Sequence, residues 1–462
     1  MRHGCCTLPP GVSGRVCDRL VGLEQVIGSA TFRQVLSETG RVNPRACKLT
    51  HEVMLWVILA MGMFTNLPIR QVFKRTRFAR AGEGSPCRSS LCHARQRLGV
   101  APVRRLFHKT VRPLATPETP GAFYRGMRLM GIDGVVLNLP DRPANETTFG
   151  RPSGGDRGMG AFPQLRKVSL VELGTHVETA FIAKPIATSE QAVISALLKH
   201  LPEDALLLWD RGFFSYNLWK TLISRNIRVL ARVGKHLVLK PIKQLSDGSY
   251  LAKIYPSWYT RKKDQGGIVV RVIRYKLDDP QRAGHDEEHI LLTNLLDEEL
   301  YPANELIRLY HERWEHELVY DEQKTHQDPR RATKPANLRS ETPAGVVQEL
   351  YALSLAHFVV RALMFESATS VGIDPDRLSF TGCFQILQCR LPECDASSPV
   401  SIASWYKALL WEISQERTEP RRNRVNPRVI KQKTSKWKKK RSEHFHPPPL
   451  TKTFVESVVM LN

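Results

Sequence analysis

Long hydrophobic runs are missing from this chain. The most apolar stretch, Val53 to Phe64, is twelve residues, whereas crossing a bilayer takes roughly 20, so it reads as a buried helix and no membrane is expected as a partner. No apolar core follows Met1-Arg-His-Gly-Cys-Cys, which excludes a secretory signal there and leaves the cytoplasm as the expected place. The nine cysteines, Cys5, Cys6, Cys17, Cys47, Cys87, Cys92, Cys383, Cys389 and Cys394, form an odd set in which no two are spaced as CxxC. They read as reduced thiols and exclude a metal knuckle. Acidic residues are few: 45 Asp and Glu against 68 Lys and Arg give a net charge of +23 and a pI near 9.8. Among soluble partners nucleic acids reward that balance most, because each neutralised phosphate releases counterions. With 462 residues, 42% of them hydrophobic, the chain can bury cores in two or three domains without staples.

Residues 1 to 120 read as a helical N-terminal domain, with stretches at Leu20 to Ser37, Leu49 to Phe64, Ile69 to Arg80 and Ser89 to Arg112, broken by Pro44, Asn66-Leu-Pro68 and Gly82-Glu-Gly-Ser-Pro86. The third stretch carries Arg70, Lys74, Arg75, Arg77 and Arg80, and the fourth carries Arg95 and Arg97 behind the candidate caps Ser89 and Ser90. Such faces either contact DNA or are simply solvated. From 121 to 225 strands are expected at Leu129 to Leu139, Val168 to Leu173, Val177 to Ile186 and Ala205 to Trp209, with a helix from Glu190 to Lys199 before the last. Strands crossing through a helix describe a mixed α/β sheet.

Residues 226 to 289 read as a basic, all-β insertion, with alternating runs at Val229 to Val233, Leu237 to Ile242, Tyr250 to Ile254 and Ile268 to Lys276. His289 to Asn294 returns to the core as one more strand, opening a second α/β part over 290–400. The glycine loop Gly154-Gly-Asp-Arg-Gly-Met-Gly160 lacks the strand-then-helix context of a phosphate loop and reads as a mobile loop. The final segment, 401–462, is basic: Arg417 to Arg441 holds twelve Lys or Arg against the single Glu419. Asn423 to Ile430 interleaves apolar residues with cations, as an arm tracking a DNA backbone would; the alternative is a disordered solubilising tail.

Chemistry concentrates between Glu305 and His326, where Tyr310, Arg313, Glu317 and Lys324 stand at offsets 0, +3, +7 and +14. On one α-helix these fall within about 60° of one another, so a carboxylate, two cations and a phenol share a stripe. A solvated, weakly paired face is the alternative, but Leu306 and Trp314 lie on the same side and turn the stripe inward. His311-Glu-Arg-Trp-Glu-His316 imitates the HExxH zinc motif, yet histidines five apart point about 140° apart and cannot share a metal from one helix. Two further acids are conspicuous: Asp133 inside an apolar strand and Asp210 closing another. Each alone could end a strand or cap a turn. With Glu317 they make three hard oxygen ligands of the kind that hold two Mg2+ ions for phosphodiester cleavage.

Tyr, two residues, Arg, three residues, Glu, six residues, Lys is the signature of the IS4 family of DDE transposases, and the chain resembles that family from end to end. The flanks agree, in Leu292-Thr-Asn-Leu-Leu-Asp-Glu-Glu-Leu-Tyr301 and Tyr310-His-Glu-Arg-Trp-Glu-His-Glu317, as do Leu49-Thr-His-Glu-Val-Met-Leu-Trp56 and Leu91-Cys-His-Ala-Arg-Gln-Arg-Leu-Gly99. The resemblance implies an RNase H-like core with a β insertion and an N-terminal region that binds element ends, Arg95 and Arg97 included. It assigns Asp133, Asp210 and Glu317 as catalytic metal ligands for two Mg2+ ions, replaceable by Mn2+, and Tyr310, Arg313 and Lys324 as contacts to the DNA backbone. It further implies cut-and-paste movement of an insertion sequence on the bacterial nucleoid, with cleavage at inverted-repeat ends of double-stranded DNA, a hairpin intermediate, strand transfer to target DNA and a homodimer in the synaptic complex. Relatives with the insertion flip a base onto a tryptophan, for which Trp258 is the candidate here; a tryptophan in a β hairpin otherwise packs. Rival readings are a catalytically retired DNA-binding protein of the same origin and an RNase H-like host nuclease.

Overall fold

The structure, a computed structural model, describes residues 17–43, 47–77, 84–152, 160–280, 285, 287–327, 338–394, 397–420 and 451–461. Cys5, Cys6, Arg80, the glycine loop up to residue 159 and the basic run 421–441 lie outside them.

The N-terminal region is helical. After a 3-10 helix at Asp18–Gln25 come α1 (Ser29–Glu38), α2 (His51–Met63), α3 (Ile69–Thr76), α4 (Arg88–Leu98) and α5 (Ala101–Thr110). The long stretch expected from Ser89 to Arg112 is two helices, because Gly99, at φ +74, closes α4 on the Arg95 carbonyl. Thr50 caps α2 by accepting the Val53 amide at 3.1 Å, and eleven consecutive residues of α2 are buried.

The α/β part follows with β1 (Phe123–Tyr124), β2 (Met127–Asn138), α6 (Pro143–Phe149), β3 (Gln164–Glu172), β4 (Val177–Pro185), α7 (Glu190–Leu197), β5 (Ala205–Trp209), α8 (Tyr216–Ser224) and β6 (Arg228–Arg232). Then come β7 (Pro241–Gln244), β8 (Tyr250–Ile254), α9 (Trp258–Lys262), β9 (Ile268–Leu277) and β10 (His289–Thr293). The signature region contains α10 (Ala303–His311) and α11 (Glu315–Asp321), and the chain continues through α12 (Pro343–Ser370), α13 (Phe380–Arg390), α14 (Pro399–Gln415) and β11 (Val458–Met460).

All strands join one sheet in the order β4-β3-β2-β5-β6-β10-β9-β8-β7, with β1 on β2 and β11 on β9. The first five form the RNase H-like core: β4, β3 and β2 are antiparallel neighbours, and β5 and β6 run parallel to β2. Every residue of β5 is buried, as a central parallel strand covered on both faces must be. Three expectations change. Val229 to Val233, assigned to the insertion, supplies β6 of the core. The insertion continues the sheet edge to edge through β10 and β9 and is not all-β, because Ser257 and Thr260 close a capping box that starts α9. The C-terminal segment is not only a basic arm, since it contributes α14 and the strand β11.

The helices of the two ends share one core, in which residues of α2 and α5 pack with those of α12, α13 and α14. Gly62 permits this, because a Cβ there would stand 2.1 Å from the Ala352 carbonyl oxygen of α12. By length and composition α12 could cross a membrane, but 89% of its apolar window is buried inside the protein, so it is the central strut of this core.

Candidate active site

Ile132 and Trp209 are register partners on the parallel strands β2 and β5. Asp133 and Asp210, each one residue further on, therefore stand side by side at the carboxyl end of β5, on strands about 4.8 Å apart. Asp133 accepts the Gly134 amide at 2.7 Å, and Asp210 accepts the Arg211 amide at 2.7 Å as cap of a short 3-10 turn at Arg211–Phe213. Above them lies Arg313, only 6% exposed, with Nη1 at 3.6 Å from Asp133 Oδ2 and Nη2 at 3.3 Å from Glu317 Oε1. Asp133 and Glu317 thus share one guanidinium, and Asp210 stands beside Asp133 at the end of the neighbouring strand, near enough to act on both Asp133 and Arg313 through its charge.

The electrostatics follow from that crowding. Burial pushes the Asp133 carboxyl up from 3.8 to about 6; Arg313 and the Gly134 amide oppose the shift, while Glu317 and Asp210 add to it. Burial works against the Arg313 charge too, but Tyr310, Asp210, Asp133 and Glu317 together hold its pKa above the ordinary value. Because the folded pKa of Asp133 exceeds the unfolded one, ionising it costs stability: the cost is absent below about pH 4, grows as pH rises and is complete above about pH 6, at roughly 3 kcal/mol as an upper limit. Asp133→Asn in EDTA should therefore stabilise the fold by about 2 kcal/mol at neutral pH and by nothing at about pH 4. Denaturant melts at the two pH values check this, and an Asn variant weaker than the parent at neutral pH would contradict it.

The rod that carries the signature is not the uniform α-helix expected. Between α10 and α11, Glu312–Trp314 is a 3-10 turn, and Glu322–His326 after α11 is a π turn, so the pitch tightens and then widens along the stripe. Tyr310 is buried and donates to the Trp209 carbonyl at 3.2 Å, which fixes the backbone just before Asp210; burial holds the phenol far above its usual range. Two of the three residues expected on the DNA backbone, Tyr310 and Arg313, thus face protein atoms. Lys324 is half-buried, with Nζ at 5.9 Å from the Tyr320 ring centre. Of the pair in α4, Arg97 is exposed, but Arg95 is turned inward against expectation: it donates to Gln348 Oε1 at 2.8 Å, Ser340 Oγ at 3.0 Å and the Gly345 carbonyl at 2.5 Å. The zinc-motif mimic separates as its spacing requires: His311 stacks on Phe454 at 4.4 Å, while His316 is buried beside Ser169.

Sequence reasoning missed the residues that seat α11 on the sheet. Tyr320 donates to the Asp133 carbonyl at 2.7 Å and lies 2.7 Å from Ser169 Oγ, which is 3.1 Å from His316 Nε2. Gly131 makes the approach possible, since a Cβ there would stand 3.0 Å from His316 Nδ1. The signal available was spacing: Arg313, His316 and Tyr320 recur at helical intervals on the face beside Glu317.

Comparison with known proteins gives the family. The family model described as insertion element 4 transposase N-terminal matches residues 18–108, and the transposase DDE domain matches residues 125–359. The transposase InsG for insertion sequence element IS4, from Escherichia coli (strain K12), is 30% identical over 425 residues, covering 90% of this chain and 93% of that protein. A putative transposase InsZ from the same strain is 28% identical over 194 residues, covering 41% of this chain and 63% of its own. A cryo-EM structure of the piggyBac transposase synaptic complex with hairpin DNA aligns over 85% of each chain at 12% identity, with a TM-score of 0.42. On the two family matches and the near full-length likeness to InsG, the chain belongs to the IS4 family of DDE transposases.

Proposed function

We propose that Asp133, Asp210 and Glu317 hold two divalent ions, Mg2+ or in its place Mn2+, with which this transposase cuts both ends of its element and joins them to target DNA. The observation that supports the reading is that Asp133 and Glu317 share the Arg313 guanidinium while Asp210 stands beside Asp133 at the end of the neighbouring strand, with the Asp133 carboxyl raised to about 6. Hard oxygen donors at the end of β5, on the adjoining β2 and on α11 fit Mg2+ in chemistry, and a divalent cation would draw them together and relieve their mutual repulsion. When bound, such ions supply Lewis-acid activation of the attacking oxygen and charge neutralisation at the leaving one.

The chain's own residues do the rest. Tyr310 holds the backbone that presents Asp210, Tyr320 holds that of Asp133, and Arg313 keeps Asp133 and Glu317 at a fixed spacing. Lys324, Arg97 and the basic surface take the DNA backbone, whose contacts position without reading sequence. Water is the first nucleophile and the freed 3′ hydroxyl the next, so no residue bonds covalently to DNA. Two ends must be cut in concert, which favours a homodimer in the working complex. Excision assayed with the element's own terminal repeats tests the whole reading; end binding without any Mg2+-dependent cleavage would leave only a DNA-binding protein.

The second-strand route runs through a hairpin in this reading, supported by Trp258. The residue lies on α9, in the connection between the antiparallel strands β8 and β9, is 60% exposed, and carries Lys262 Nζ at 4.0 Å over its ring. An exposed indole beside cations is a stacking platform for an unpaired base. Trp258→Ala should slow hairpin formation about tenfold and leave first-strand nicking within about twofold, because stacking on one base is worth some 1–3 kcal/mol. Gel analysis of both products decides it, and equal loss of both would remove Trp258 from the hairpin step.

A further inference from the structure

Behind α11, on the face away from the aspartates, lies a second charged cluster that the reaction above does not use. Glu322 opens the π turn and is 3% exposed; it accepts from His357 Nε2 at 2.8 Å and from Arg361 Nε at 3.1 Å, both on α12. His176, in the turn between β3 and β4, reaches Glu315 Oε2 at 2.6 Å and Asp376 Oδ1 at 3.4 Å through Nε2, and Glu322 Oε1 at 3.3 Å through Nδ1. Arg361 also contacts the His176 ring. One residue on from Glu322, Gln323 accepts Lys167 Nζ at 2.9 Å and donates to Glu178 at 3.1 Å. Gln327 donates to the carbonyls of Gly62 on α2 and Leu353 on α12 at 3.0 and 2.9 Å.

This cluster explains why the helix changes pitch. On an α-helix Glu322 and Gln327, five residues apart, would point about 140° from one another. The wider π turn, closed by the Gln327 amide on the Glu322 carbonyl at 2.7 Å, brings both within roughly 50°, onto the side of α12. A buried guanidinium and carboxylate recover their desolvation cost only in one geometry, unlike an apolar face that can slide. Glu315 and Glu322 stand two residues before and five after Glu317, so both ends of α11 are tethered.

We propose that His176, Glu322 and Arg361 are positioning residues that fix the rotation of α11 and thereby aim Glu317 at Asp133 and Asp210. The inference rests on Glu317 being a metal-holding carboxylate. His176, Glu315 and Asp376 also offer ligand atoms within 4.8 Å of one another, but Arg361 already supplies a cation to that cluster.

Glu322→Gln removes the charge and keeps the shape; Arg361→Lys keeps the charge and removes the fork that spans His176 and Glu322. For each, the Mg2+ concentration giving half-maximal cleavage of an end duplex should rise about tenfold, while end binding in EDTA stays within about twofold. A purely structural role would lower melting temperature and active fraction without moving the Mg2+ half-saturation. Unchanged half-saturation in folded variants, alongside abolished cleavage in Glu317→Ala, overturns the positioning role alone. Failure of both variants to fold would make the cluster a stability element and overturn it too. Cleavage that survives Glu317→Ala would instead bring down the reading of the metal site.

Discussion

Asp210→Ala is expected to lower strand cleavage by about 10³-fold or more, equivalent to some 4 kcal/mol of transition-state stabilisation, while binding of the element's ends persists. Asp210 has a second, local task as cap of the turn at Arg211–Phe213, so the alanine variant alone confounds lost chemistry with a frayed turn. Asp210→Asn separates them, because the amide oxygen can still accept the Arg211 amide but brings no charge to a cation. Both variants should lose cleavage alike, and both should retain gel-shift affinity for end DNA, since the phosphate contacts proposed above, at Lys324 and Arg97, do not involve Asp210. Cleavage by the Asn variant within about tenfold of the parent would reduce Asp210 to a cap.

What the sequence disclosed and what it hid divide along a physical line. Asp133 and Asp210 stood out because an acid at a buried strand position is expensive without a purpose, and the strands around them were legible from their apolar runs. Pairing was not: nothing local says that β10 lies beside β6 or that β9 receives β11, because those contacts join residues far apart in the chain. The pitch of the signature rod was equally hidden, since the π turn depends on Glu322 meeting Arg361, 39 residues away. Arg95 shows the same limit. Its helix reads as basic and exposed, and Ser340, Gly345 and Gln348, between 245 and 253 residues on, draw the guanidinium inward.

Arg313 sits between carboxylates and not on an open cationic face. Its guanidinium is buried, bridges Asp133 and Glu317, and lies 5.3 Å from the Trp314 ring centre and 5.9 Å from that of Tyr310. Arg313→Ala removes the guanidinium whose charge opposes the upward shift of the Asp133 carboxyl. It should cost about 3–5 kcal/mol of stability in EDTA at neutral pH, the usual penalty for breaking a buried pair from one side. The loss should shrink at about pH 4, where Asp133 is protonated, and should also shrink when Mg2+ is added, because a divalent cation at the same carboxylates replaces the missing charge. Lys324→Ala, at a half-buried position, should behave differently, flattening the salt dependence of end binding by nearly one contact's worth with little change in stability. Melting curves with and without Mg2+, paired with binding isotherms across salt concentrations, distinguish the two. An Arg313→Ala protein that melts like the parent in EDTA yet shows a shallower salt slope would place the guanidinium on DNA and not between the carboxylates.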